Sequence, residues 1–188
     1  MIEAVLKGLG FGLLLSIAVG PVLFSIIKQS LNNGYRGGFA FVFGVFFSDI
    51  TLVLISNVFT QLFDSIRVYK TEVGIAGSAF LITMGIFFLF FKKVKVNEEG
   101  KQVFKFRKRD FAKIFASGFF MNSLNPGVFI FWITTSTAVI THSINERIII
   151  FATCLLFMVS SDTLKVMLAG KIRNRLTPHN IHIINRIN

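Results

Sequence analysis

The chain has 188 residues, 53% of them hydrophobic and only 15% charged, with 24 Phe and a mean hydropathy of +0.70. That balance excludes an ordinary soluble domain, and the lone Cys154, with no Cys/His pair at zinc-ligand spacing, excludes a disulfide scaffold or zinc module. The net charge of +11 lies between long apolar runs, which points to a membrane surface and not to a nucleic-acid partner.

A helix needs about 20 mostly apolar residues to cross a bilayer, because only intrahelical bonds satisfy its backbone there. Five stretches qualify, at roughly 6–27, 39–59, 73–91, 111–140 and 148–169. They predict an all-α polytopic membrane helix bundle forming one transmembrane domain over residues 1–188. In the first span, Lys7 and Ala18-Val19-Gly20 imitate a signal peptide and its cleavage site. Pro21 would block the cut and the apolar run continues to Ile27, so the span reads as an uncleaved helix. Pro21 also removes a donor and clashes one turn back, so this helix is expected to kink or break over residues 16–21. Its small residues Gly8, Gly12, Ser16 and Gly20 repeat every four, a packing stripe.

Gly34, Gly37 and Gly38 fall in the connection to span two and read as turn residues. Span two repeats the stripe with Ala40, Gly44 and Ser48, and then carries Asp49 at membrane depth. A carboxylate there costs about 2.5–3.5 kcal/mol on insertion scales, so it faces a protein interior or an aqueous cavity. Leu52 and Val53 occupy i+3 and i+4, so any partner of Asp49 comes from another helix.

After the third span, the loop 92–113 holds nine Lys and Arg against Glu98, Glu99 and Asp110. Positive residues in short loops resist translocation, which places this loop in the cytoplasm and, counting spans backwards, the N-terminus outside. The same counting places the basic tail 171–188 inside. Phe104 and Phe106 are too few to make the loop a nucleic-acid site.

The fourth span contains Asn122-Ser123-Leu124-Asn125-Pro126-Gly127, a more polar interruption expected to open the helix. The fifth carries Asp162, with Lys165 three residues on along the same face as its ready-made counter-charge. Spans one and four are both broken, and spans two and five each carry an acid. A unit of three helices therefore repeats, and because three is odd the second copy enters the membrane reversed. In such inverted repeats, broken helices meet near the midplane and offer backbone groups to a substrate.

Catalytic patterns are absent. His142, His179 and His182 lie outside the spans, and no His-Glu-x-x-His, Gly-x-Ser-x-Gly or phosphate-cradling Gly-rich motif occurs. The filter repeat of a potassium channel is missing too. Cys154 reads as a small core residue.

Gly20-Pro21 followed by Val-Leu-Phe-Ser-Ile-Ile-Lys-Gln-Ser-Leu, then Gly34-Tyr35-Arg36-Gly37-Gly38, Ser48-Asp49, Gly118-Phe119 and Asn125-Pro126, resembles the LysE/RhtB family of lysine exporter and homoserine/threonine efflux type proteins. The resemblance covers roughly residues 1–175. It implies gradient-driven export of amino acids or related small zwitterions across the bacterial inner membrane, with no bound cofactor and no enzymatic activity. Carried over, it implicates Gly20, Pro21, Asp49, Asn125, Pro126 and Asp162 at the substrate. The residues themselves add Asn122 beside these and Lys165 as the charge partner. The expected partners are a small-molecule substrate, membrane lipid and a second copy of the chain in a homodimer. Two departures stand out. Gly127 follows Asn-Pro where the family usually carries Lys or a similar residue, and the tail after Lys171 is too short and polar to be the sixth helix of the family plan. The alternative reading is therefore a non-transporting membrane scaffold or a truncated, inactive exporter.

Overall fold

A computed structural model describes residues 1–65, 79, 82 and 108–173. Those residues form five helices and no strand: α1 (Ile2–Ile17), α2 (Pro21–Ser65), α3 (Lys108–Ser123), α4 (Pro126–Ala138) and α5 (Ile144–Arg173). The expected third span, residues 66–107 generally and the tail beyond Arg173 lie outside the described residues, apart from Ala79 and Ile82.

Both expected interruptions are complete breaks, with one covalent cause. Proline clashes with the carbonyl four residues before it. For Pro21 that residue is Ile17, where α1 stops, and for Pro126 it is Asn122, one residue before α3 stops. Each proline then occupies the first position of the next helix, where its missing N–H costs nothing. Between them the chain is extended, at Ala18 (φ −56°, ψ 117°) and at Asn125 (φ −82°, ψ 110°). The 6–27 and 111–140 spans are thus each a pair of helices, and α3 and α4 meet at a bend of 62°.

The connection to span two differs from the expected loop. The helix begun at Pro21 continues to residue 33, turns at Gly34 and resumes at once, so α2 has two arms, α2a (21–33) and α2b (35–65). Gly34 has φ 66° and ψ −167°, a region open essentially to glycine alone. Gly37 and Gly38 are helical and not turn residues; they let the arms fold together. A Cβ on Gly38 would lie 2.3 Å from Ser30 Oγ, and one on Gly37 3.1 Å from the Gln29 carbonyl oxygen.

The halves match in proportion. α1 and α3 each have 16 residues, and α4 has 13, the length of α2a. A long helix follows each pair, α2b in one half and α5, with 30 residues, in the other. Packing exchanges them: α1 lies on α5 and α3 lies on α2b. Cβ atoms on Gly8 and Gly12 would strike the Ile150 carbonyl and Phe157 Cβ at 2.5 and 3.0 Å. One on Gly44 would strike the Phe115 carbonyl at 2.1 Å, and one on Gly118 the Phe41 carbonyl at 2.3 Å. Lipid tails are as apolar as leucine, so such close approach, with interhelical hydrogen bonds, holds a membrane bundle together. Gly20 breaks the expected stripe, since no atom would come within 4 Å of its Cβ.

Two apolar clusters flank the middle of the bundle. One gathers Ala4, Leu52, Val53, Trp132, Ile150, Phe151 and Cys154; the other gathers Ile26, Phe41, Val42, Val45 and Val166. Phe43, Phe47 and Leu54 on α2b, and Leu156 and Leu164 on α5, are exposed on the outside. By length and hydropathy, Pro21–Thr60, divided at Gly34, and Ile144–Ile172 each hold a stretch able to cross a membrane, and the bent α3–α4 pair, taken as one broken span, makes a third among the described residues. The molecule is an all-helical membrane bundle.

Candidate functional site

The two breaks open onto one cavity of about 420 Å³. Its wall includes Ser16, Gly20 and Pro21 from the first break, Asn122, Asn125 and Gly127 from the second, and Asp49, Asp162 and Lys165 from the long helices. Of the residues expected at a substrate site, Pro126 alone stays off this wall; it serves as the first residue of α4.

Asp49 is 2% exposed, the most buried acid among the described residues. Its Oδ1 accepts two hydrogen bonds, from Asn122 Nδ2 at 2.7 Å and from Trp132 Nε1 at 3.0 Å. Both donors belong to the second half of the chain, on either side of its break, so the bend between α3 and α4 is what lets them converge. Asn122 also donates to Ser48 Oγ at 3.1 Å, and Ser48 and Ser123 share a 2.8 Å hydrogen bond. The carboxylate is therefore the centre of a network joining α2b, α3 and α4. A buried carboxylate is tolerable only when such donors replace its water.

The second acid is held differently. Lys165 Nζ donates to Asp162 Oδ1 at 2.7 Å, one turn away on α5. The same ammonium donates to the Ser16 carbonyl at 3.1 Å. Ser16 belongs to the last turn of α1, whose carbonyls have no helical partner, and a cation there also suits the negative end of the helix dipole. Lys165 thus ties the first break to α5.

The two helix starts differ. Asn125 caps α4, its Oδ1 accepting from Gly127 N at 3.0 Å. At the corresponding place before Pro21 stands Gly20, which has no side chain to do this. Gly127 leaves room, since a Cβ there would meet only Asn125 Oδ1, at 3.4 Å.

The sequence pattern does not mark Trp132 or Ser123 as site residues, and it marks Ser48 as a packing residue flanking the expected cavity. Trp132 is the chain's single Trp and is fully buried, and an indole N–H in that position needs an acceptor, which is the signal that would have found it. Among the described residues no cluster of His, Cys, Asp and Glu has the makings of a metal site. His142 lies at one end of the bundle, its Nε2 2.8 Å from Lys7 Nζ, away from the cavity. Cys154 is buried, its sulfur 3.9 Å from that of Met158.

Compared with known families, the chain matches the LysE type translocator family over residues 13–187 and belongs to it. No curated protein and no solved structure matches it. The family consists of efflux transporters and not enzymes, so the cavity is the place to look for a transported small molecule.

Proposed function

We propose that this chain exports amino acids or related small zwitterions across the bacterial cytoplasmic membrane, driven by an ion gradient. The observation that carries the reading is Asp49, a carboxylate buried at the junction of two broken helices and lining their common cavity. Such an acid is retained in a membrane where it binds a cation in turn. Here that cation is the substrate's ammonium or the coupling proton. Backbone groups at the breaks receive the rest of the zwitterion, and the inverted halves rock about it to expose it to each side. The N-terminus is outside and the loop 92–113 inside. Lipid surrounds the outer apolar faces, and a second copy of the chain covers part of them in a homodimer.

The test is efflux of preloaded labelled amino acids from cells expressing the 188-residue chain, beside an Asp49→Asn variant. Asparagine keeps an oxygen to accept from Asn122 and Trp132, so the fold is retained while the charge is lost. Gradient-dependent efflux by the parent that disappears in the variant is expected. Undiminished efflux from Asp49→Asn would remove this residue from the mechanism.

A further inference from the structure

Three charged side chains line the cavity, and their bonds are unequal. The Lys165 ammonium has three N–H donors. Among the described residues two are spent, on Asp162 Oδ1 and on the Ser16 carbonyl. The third is left for the cavity that Lys165 lines. Asp49, in contrast, takes its donors from the neutral side chains of Asn122 and Trp132. Its negative charge meets no cation within ion-pair distance among the described residues.

Several of the remaining polar groups of the wall are spent. Ser16 Oγ donates to the Leu13 carbonyl at 2.9 Å, Asn122 serves Asp49 and Ser48, and Asn125 caps α4. Most of the rest of the wall is hydrocarbon or aromatic, including Val22, Leu23, Phe131 and Met158.

Resting on the amino-acid export proposed above, we propose that the cavity selects amino acids with uncharged, apolar side chains. The substrate carboxylate takes the third donor of Lys165, its ammonium takes Asp49, and its side chain lies against the apolar wall. A cationic side chain would need a second carboxylate free of a counter-charge, and Asp162 is already held by Lys165. A hydroxyl-bearing side chain lying against the apolar wall would give up its water there.

The experiment uses proteoliposomes of the full chain preloaded with leucine, methionine, lysine and threonine. Leucine and methionine are expected to leave roughly tenfold or more faster than lysine or threonine. Leucinamide, which lacks the carboxylate, is expected to inhibit leucine efflux roughly tenfold more weakly than leucine itself. The double variant Asp162→Asn with Lys165→Met removes both members of the ion pair, so neither is left behind as a lone charge. There the leucine KM should rise roughly tenfold to a hundredfold, and leucine and leucinamide should become similar inhibitors.

Lysine or threonine efflux equal to that of leucine overturns the selectivity and leaves amino-acid export standing. Equal inhibition by leucine and leucinamide in the parent, or an unchanged leucine KM in the double variant, overturns the Lys165 anchor. Absence of efflux for all four amino acids overturns the export reading and this inference with it. If the double variant fails to elute as a folded species from gel filtration in detergent, the leucinamide comparison on the parent decides.

Discussion

Asp49 draws both of its donors onto one oxygen, and the two are not equivalent in what else they do. Asn122 is shared with Ser48, whereas Trp132 Nε1 donates to Asp49 alone. The indole also packs with Phe131 and Phe151, at ring-centroid distances of 5.2 and 6.2 Å. Trp132→Phe keeps much of that aromatic packing and removes the donor. A hydrogen bond to a charged group contributes about 1.5–3 kcal/mol, against about 0.5–1.5 for a neutral pair. Trp132→Phe should therefore destabilise the parent more than it destabilises Asp49→Asn, with a coupling of about 1 kcal/mol between the two sites. Denaturant melting of the four purified proteins in detergent measures this cycle. Equal costs of Trp132→Phe in both backgrounds would mean that the bond adds nothing specific to the charge.

At the level of elements, the breaks were legible because proline acts through covalent geometry that no tertiary context repairs. The burial of Asp49 and Asp162 was legible because a carboxylate inside a long apolar run has to be covered by protein. The run from Lys28 to Tyr35 was not. Its polar residues suggested a loop, yet Ser30 is fully buried and donates back to the Ile26 carbonyl at 2.7 Å. Packing between the arms of α2 outweighs the local composition and compresses the connection to Gly34. The role of Trp132 is not legible in the sequence because the face it presents depends on the 62° bend, which no periodicity encodes. The hairpin reading makes a stability prediction. Gly34→Ala should cost about 1–3 kcal/mol, because an L residue is strained at φ 66° and ψ −167°. Gly10→Ala is the control: its Cβ would meet nothing within 4 Å and its backbone is helical, so melting should be unchanged or slightly raised. Equal effects of the two substitutions would argue against the turn.

For the whole molecule, the exchange of partners between halves explains why a small bundle can enclose charged groups. Each half contributes a broken helix that packs on the other half's long helix, so the breaks face one another across a space that neither half encloses alone. The halves resemble each other in helix lengths, but their chemistry differs: one acid is served by neutral donors and the other by a lysine, and one helix start is capped while the other has Gly20. Unequal ends would give the proposed zwitterion a direction. Its direction relative to the cell is a matter of the proposed orientation. Lys7 with His142, and Arg147 with Asn57, hold the start of α1, the 139–143 connection and α2b together at one end. In the proposed orientation, with the N-terminus outside, this is the outer end. Cys154, buried in the core, is first replaced by Ala, and single cysteines are then introduced as Thr141→Cys or Glu98→Cys. In intact cells a membrane-impermeant maleimide should label position 141, which is exposed, and should reach position 98 only after permeabilisation. Labelling of position 98 in intact cells, with protection of 141, would reverse the orientation. It would also reverse the face of the membrane from which the Lys165 and Asp49 pair is first approached.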